Sequence, residues 1–281
     1  MRLFSPEQSQ RIAFSLLWVG GFSVVVIVLA IVGYVLVGGL GAIDLEFLLT
    51  PPRGGLAGEG GISTVIVTTL YLIVLTLAIA GPLGIAAAIY LSEYAPAGRL
   101  TQVTRFGVET LAGVPSIVFG LFGYLVFVLV LGFGFSILAG AASLALLVLP
   151  TVIRTTEEAL RAVPQSYREA SFALGATKWQ TVIRVILPSA LAGVITGIIL
   201  TVGRTIEESA VLFVTIGASA FRMPTSVFDE GRPLALHIYY LAMETRAFDK
   251  AMATAAILIF IILLINLSTG LISQRLARGT R

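Results

Sequence analysis

Six stretches of this chain are long and apolar enough to cross a bilayer, and that spacing limits the fold more than any motif does. A bilayer core needs about 20 mostly apolar residues as helix. The runs fall at about 12–36, 62–91, 108–131, 135–153, 189–214 and 251–273. Gly81-Pro82 predicts a kink in the second, and Gly132-Phe133-Gly134 alone separates the third from the fourth, predicting a tight antiparallel hairpin. The first is too long for the apolar region of a cleaved signal peptide, typically about 7–15 residues, and reads as a retained helix. Only 12% of the 281 residues are charged and 57% are apolar, against about 25% charge in soluble domains. That balance argues against a disordered chain, a soluble enzyme or a nucleic-acid binder. Zero cysteines exclude disulfides and thiolate chemistry. The reading is an all-α polytopic membrane protein.

Six spans put both termini on one side. Twelve of the 18 lysines and arginines fall on that side, among them Arg2, Arg99, Arg154, Arg168 and Arg281; five fall on the other, and Arg204 lies within a span. Excess Lys and Arg mark the cytoplasmic side, so both termini are expected there. The residues 1–281 read as one transmembrane domain with a core unit of about 62–273, a cytoplasmic loop at 154–188 and an external loop at 217–250.

The loop at 154–188 contains three Ser/Thr-x-x-Glu/Gln patterns: Thr155 with Glu158, Ser166 with Glu169, and Thr177 with Gln180. Each predicts a capping box, in which the hydroxyl accepts from a first-turn amide and the Glu or Gln reaches back to the cap. Pro164 separates the first predicted helix from the second, and Gly175 sits where the second needs a left-handed residue to end. Three short helices are expected. The middle one, about 166–174, is too short to stand alone in water, so it is either packed on its own membrane domain or presented to a cytoplasmic partner.

Glu169-Ala170-Ser171, then Gly175 with Ala176, then Val185-Ile186-Leu187-Pro188 resembles the EAA loop of the binding-protein-dependent ABC importer permeases. Ser171 stands where the pattern has its second alanine, and Val185 where it has isoleucine. The segment 112–122 around Pro115-Ser116, Pro51-Pro52, the entry Gly60-Gly61-Ile62, Ile89 to Tyr94 and Pro224-Thr225-Ser226 are similar to the phosphate permeases of that family, in particular the PstA type. The resemblance implies a type I ABC importer permease fold in the (inner) plasma membrane. It implies a sister permease forming a heterodimer, two ATPase subunits that bind ATP and Mg, and an extracytoplasmic phosphate-binding protein. Glu169, Ala170, Ser171, Gly175, Ala176, Leu187 and Pro188 would then seat the ATPase subunit.

The fifth run reads Gly203-Arg204-Thr205-Ile206-Glu207-Glu208-Ser209-Ala210. It resembles the family's Gly-Arg-Ala-Ile-Gly-Glu-Thr-Ala, with Glu207 in place of a glycine. Charges inside a span cost roughly 2.5–3.5 kcal/mol each on insertion scales, so they are expected to face protein or water and to be paired. As one helix, the i, i+4 spacing puts Arg204 and Glu208 on one face. Two readings follow: a structural ion pair, or an Arg204 that assists an anion along the path while Glu208 limits how tightly it is held. Pro115 and Ser116 are further path candidates, since a proline frees a carbonyl and a serine offers a hydroxyl. A simple packing kink is the competing reading. His237, the sole histidine, is expected at the surface or interface, within a short helix over 234–243.

No GxxxxGK[ST] is present, so the ATP-hydrolysing part belongs to another polypeptide, and this chain needs no cofactor or metal of its own. The absence of GxSxG and HExxH argues against an intramembrane hydrolase. An ion-coupled secondary transporter would not need the capped loop. Among ABC permeases, sulfate, molybdate and phosphonate are the alternative substrates.

Overall fold

The computed structural model describes residues 5–54 and 58–279. α1 (Pro6–Leu40) starts with a closed capping box between Ser5 and Gln8. It is apolar all round and almost nowhere buried, the pattern of a helix that faces lipid or another chain. After the short α2 (Leu45–Leu49), β1 (Pro52–Gly54) and β2 (Glu59–Gly60) pair antiparallel, a small β element the all-α expectation lacked.

α3 (Ser63–Ile89) runs through Gly81-Pro82 as one helix and ends in a π-helical turn, Tyr90–Tyr94. α4 (Arg99–Ala112) and α5 (Ser116–Gly123), the latter extended by a π-helical turn at Tyr124–Val130, meet at 100°. The single third span expected at 108–131 is therefore corrected to a bent pair. Pro115 disfavours helix at Val114 before it, and Gly113 costs least where the chain leaves the helix.

Gly132 (φ +70°) and Gly134 (φ +65°) turn the chain back into α6 (Ile137–Arg161). This helix continues eight residues past its expected end at 153. α7 (Gln165–Ala173) stands apart; α8 (Lys178–Thr181), a π-helical turn at Val182–Ile186 and α9 (Leu187–Glu207) form one continuous helix. The π turn lets Pro188 sit inside it. Leu187 N–H bonds Val182 O, shifting the ladder just before the residue that has no N–H to give. α10 (Ala210–Phe213), α11 (Leu234–Glu244) and α12 (Phe248–Gly279) complete the chain.

Among the described residues five helices are long and apolar enough to span a membrane, and the bent pair supplies a sixth crossing. α6 is the axis of the fold, with 67% of its most apolar stretch buried, against 6% for α1. Small residues let its neighbours approach. Gly84 of α3 faces Val152, while Gly193 and Gly197 of α9 face Ala159 and Thr155. Such contacts hold helices together where lipid offers no hydrophobic drive. One apolar cluster around Leu144, Leu212 and Ile216 fills one half of the body. Another around Ala88, Leu160 and Ile186 fills the half beside α7, here called the loop face.

Candidate functional site: a loop-face helix and a broken span

On the loop face, one of the three expected capping boxes forms. Thr177 Oγ1 accepts from Gln180 N at 3.3 Å, and Gln180 Oε1 accepts from Thr177 N at 2.9 Å. Thr155 and Glu158 instead lie inside α6, where the Thr155 hydroxyl donates to Thr151 O at 2.8 Å. The apolar face of α6 simply carries the helix through. Ser166 with Glu169 also makes no box, because Pro164 takes the cap position, two residues before Ser166, and the helix starts at Gln165.

α7 ends as Gly175 predicts. With φ at +82°, Ala176 N bonds Ser171 O and Gly175 N bonds Phe172 O, the two bonds of a Schellman motif. Glu169 and Ala170 are exposed. Ser171 is buried, its hydroxyl 2.8 Å from that of fully buried Thr181. The departure from alanine therefore adds a side-chain bond between α7 and α8. Ala176 and Leu187 are half-buried and Pro188 is exposed. Tyr167, Phe172, Leu174 and Trp179 form an uncovered apolar rim around the helix.

Behind α7 lies an ion-pair group that the sequence reading missed. Arg168 donates to Glu93 Oε1 at 2.7 Å, to Leu160 O at 3.0 Å and to Val163 O at 2.8 Å. Both side chains are nearly buried, 12% and 8% exposed. A second group joins Arg105 of α4 to Glu157 at 2.9 Å and to Leu91 O at 2.8 Å, while Arg161 shares Glu157 at 2.6 Å. The signal in the sequence was an acidic residue, Glu93, ending a span on the arginine-rich side.

The second part of the site is where the bent pair meets the end of α9. α9 stops at Glu207, and Glu208 is extended (φ −74°, ψ 128°). Its carboxylate accepts from Ala210 N at 3.0 Å and Val211 N at 3.3 Å, capping α10. The expected Arg204–Glu208 pair is thus not formed, because those two amides hold the carboxylate. Arg204 is half-buried, its Nε is buried, and it makes no hydrogen bond or ion pair among the described residues. Glu207 is exposed. α5 packs on this segment, Gly120 against Val211 and Val214, and Gly123 against Ser143 and Thr215. Ser116 lies one turn before Gly120, and Glu208 stands three residues before Val211, which Gly120 faces. Pro115 is exposed and Ser116 half-buried.

On the face opposite the loop, the helix α11 buries His237, 3% exposed, which corrects the expected surface position. Apolar Leu234, Leu236 and Leu241 are buried with it and carry the imidazole inward. Burial first, and the charge of Arg232 second, push its pKa down to about 3. Arg232 is itself buried against the Tyr240 ring at 3.8 Å and the Ala218 carbonyl. Lys250 donates to Gly58 O and Gly60 O at 2.9 and 3.1 Å, fixing the β-hairpin over α12.

The described helices form a spanning bundle with a short helix on one face and a charged break in one span. The chain belongs to the binding-protein-dependent transport system inner membrane component family, whose model matches residues 80–281. It is 34% identical over 86% of its length, and 87% of the relative's, to the probable ABC transporter permease protein YqgI of Bacillus subtilis (strain 168). It is 39% identical to the phosphate transport system permease protein PstA 1 of Mycobacterium tuberculosis (strain ATCC 25618 / H37Rv), covering 76% of this chain and 70% of that one. The PstA of Yersinia pestis is also 39% identical, over 78% and 74% of the two chains. In fold it is similar to a bacterial alginate ABC transporter chain (TM-score 0.70, 16% identity, 98% of both chains). The inward-facing MetNI methionine ABC transporter is a second likeness (TM-score 0.58, 21% identity, 77% of this chain and 94% of that one). Such permeases are non-catalytic subunits, and the chain is a multi-pass membrane protein of that kind.

Proposed function

We propose that this chain is the permease subunit of an ATP-driven importer of inorganic phosphate, forming half of the translocation path with a sister permease. Its likeness to phosphate transport permeases over three quarters of its length carries the substrate. The loop face is cytoplasmic, as the arginine asymmetry requires, and both termini share that side. Two ATPase subunits seat on the coupling helices, this chain offering α7 with Glu169, Ala170, Ser171, Gly175 and Ala176, backed by Leu187 and Pro188. A phosphate-binding protein docks outside.

The proposed cycle is alternating access. ATP binding draws the ATPase subunits together, α7 moves with them, and the paired permeases open outward; hydrolysis resets them. Arg204 is the residue we assign to the anion, and its freedom from partners supports the reading. A cation left unpaired in a span stays available to a passing phosphate. Glu207 and Glu208 lower the local potential so that phosphate is not held too tightly, and Pro115 and Ser116 are assigned to the same path. Cells lacking the subunit are expected to lose labelled-phosphate uptake and regain it on complementation. Restored uptake of sulfate, molybdate or phosphonate instead would overturn the substrate. Uptake by the reconstituted chain alone, driven by a pH gradient, would make it a secondary transporter.

A further inference from the structure

α7 has nine residues, too few to hold helical structure by itself, yet it is the element through which an ATPase would push. Its outer side offers little grip on its own permease, since Glu169, Ala170, Phe172 and Ala173 all face solvent. Two side chains of the helix turn inward. Ser171 reaches α8, next in the chain. Arg168 reaches across 75 residues to Glu93, and the same guanidinium takes the Leu160 and Val163 carbonyls at the end of α6.

Glu93 lies in the π-helical turn that ends α3. Two residues earlier in that turn, Leu91 gives its carbonyl to Arg105 of α4, which also pairs with Glu157 of α6. The end of α3 is therefore gripped from one side by the coupling helix and from the other by the helix that leads, through the 100° bend, into α5. A guanidinium holding a carboxylate through two nitrogens resists rotation as well as separation. Low exposure spares this pair the solvent screening that weakens Arg154–Glu158, where both side chains are more than 60% exposed.

We infer that Arg168 and Glu93 are positioning residues for transport: their buried ion pair carries the displacement of α7 into the end of α3 and on to α4. The inference rests on α7 being the ATPase-docking helix. In it, α7, the end of α3 and α4 move as one body, and breaking the pair lets α7 move alone. ATP is then hydrolysed without an equivalent passage of phosphate.

The test uses the full complex in proteoliposomes, with inorganic phosphate and ATP. In Glu93→Ala, phosphate imported per ATP hydrolysed is expected to fall about fivefold or more, with ATP hydrolysis and complex recovery held within about twofold. Arg168→Ala and the double variant are expected to fall no further than Glu93→Ala, the mark of two residues acting through one contact. An unchanged ratio in Glu93→Ala, or single losses that multiply in the double variant, would overturn the linkage. Should Arg168→Ala fail to assemble, Glu93→Ala decides, because it leaves Arg168 its two carbonyl bonds.

A second readout does not depend on the substrate. The chain has no cysteine, so Gln165→Cys on α7 and Gln102→Cys on α4 accept spin labels cleanly. Their separation is expected to hold within about 2 Å when ATP binds, and to shift or broaden beyond that in Glu93→Ala. A separation that already changes by more in the wild type, or stays as tight in Glu93→Ala, would refute rigid coupling. Failure of wild-type complexes to import phosphate would strike the substrate assignment alone, leaving this second readout to decide the linkage.

Discussion

The two ends of the continuous helix Lys178–Glu207 follow opposite rules. At the loop end, Thr177 and Gln180 close a capping box, Ser171 and Thr181 share a buried hydrogen bond, and a π turn accommodates Pro188. At the far end the helix breaks, Glu208 gives its carboxylate to two amides, and Arg204 has no partner among the described residues. A buried polar group normally finds partners within the chain. Among the described residues the Arg204 Nε is one of three buried side-chain atoms that do not, with Thr156 Oγ1 and His237 Nδ1. The proposed function gives the first end the work of transmitting force and the second that of meeting the anion.

The sharpest way to break the loop end is Gly175→Val. A β-branched residue at φ +82° is strained by about 1–2 kcal/mol or more, and the Schellman turn that aims α7 is lost. Recovery of the ATPase subunit with the permease is expected to fall at least about tenfold while membrane insertion persists, a drop of 1.4 kcal/mol or more in docking. Normal recovery would detach α7 from ATPase docking.

Gly120→Leu attacks the far end without touching a charge. Its first added carbon would lie 2.9 Å from a Val214 methyl and 3.0 Å from Val211 Cα. Overpacking of that kind costs about 1–3 kcal/mol. Thermal unfolding in detergent should show the loss, with ATPase-subunit capture kept. Equal damage to both would mean that the two ends are not separable.

The α11 region, opposite the loop face, supplies a pH-dependent control. His237 is buried neutral, with its pKa lowered to about 3 from 6.5. A base whose folded pKa is depressed contributes its full stability above the unfolded value and loses it as pH falls through 6.5 toward 3. At pH 5 the expected loss is about 2 kcal/mol relative to pH 7. His237→Gln should flatten that acid-side decline in a denaturation series, and an unaltered slope would mean that the imidazole does not titrate with unfolding. The smallest effect belongs to Ser171→Ala, which restores the family alanine. Losing one buried hydrogen bond costs about 1 kcal/mol, and Thr181 keeps its bond to Thr177 O at 3.1 Å. A modest drop in melting temperature with uptake retained is expected.

Much of the fold was readable from residue spacing, because a bilayer forces polar backbone inside helices and leaves length as the main variable. The Gly132–Gly134 turn, the left-handed Gly175 and the Thr177 box followed from local chemistry that no tertiary contact overrides. The third span did not follow: hydropathy over 108–131 does not register a 100° bend, although Pro115 after Gly113 was its visible cause. Thr155 and Ser166 carried a cap pattern that packing and Pro164 overruled. The i, i+4 pairing of Arg204 with Glu208 failed because it assumed a helix through both residues. The Arg168–Glu93 pair spans 75 residues, a separation at which no single-chain periodicity points to a partner.

The central claim is that the unpartnered Arg204 handles the anion while the bonded loop end handles the force. Labelled-phosphate uptake by the assembled complex carrying Arg204→Gln, read beside its ATP hydrolysis, tests it most directly. Uptake is expected to fall at least about tenfold, with subunit recovery and ATP hydrolysis close to the wild type. Full uptake in a stably assembled Arg204→Gln complex would contradict it.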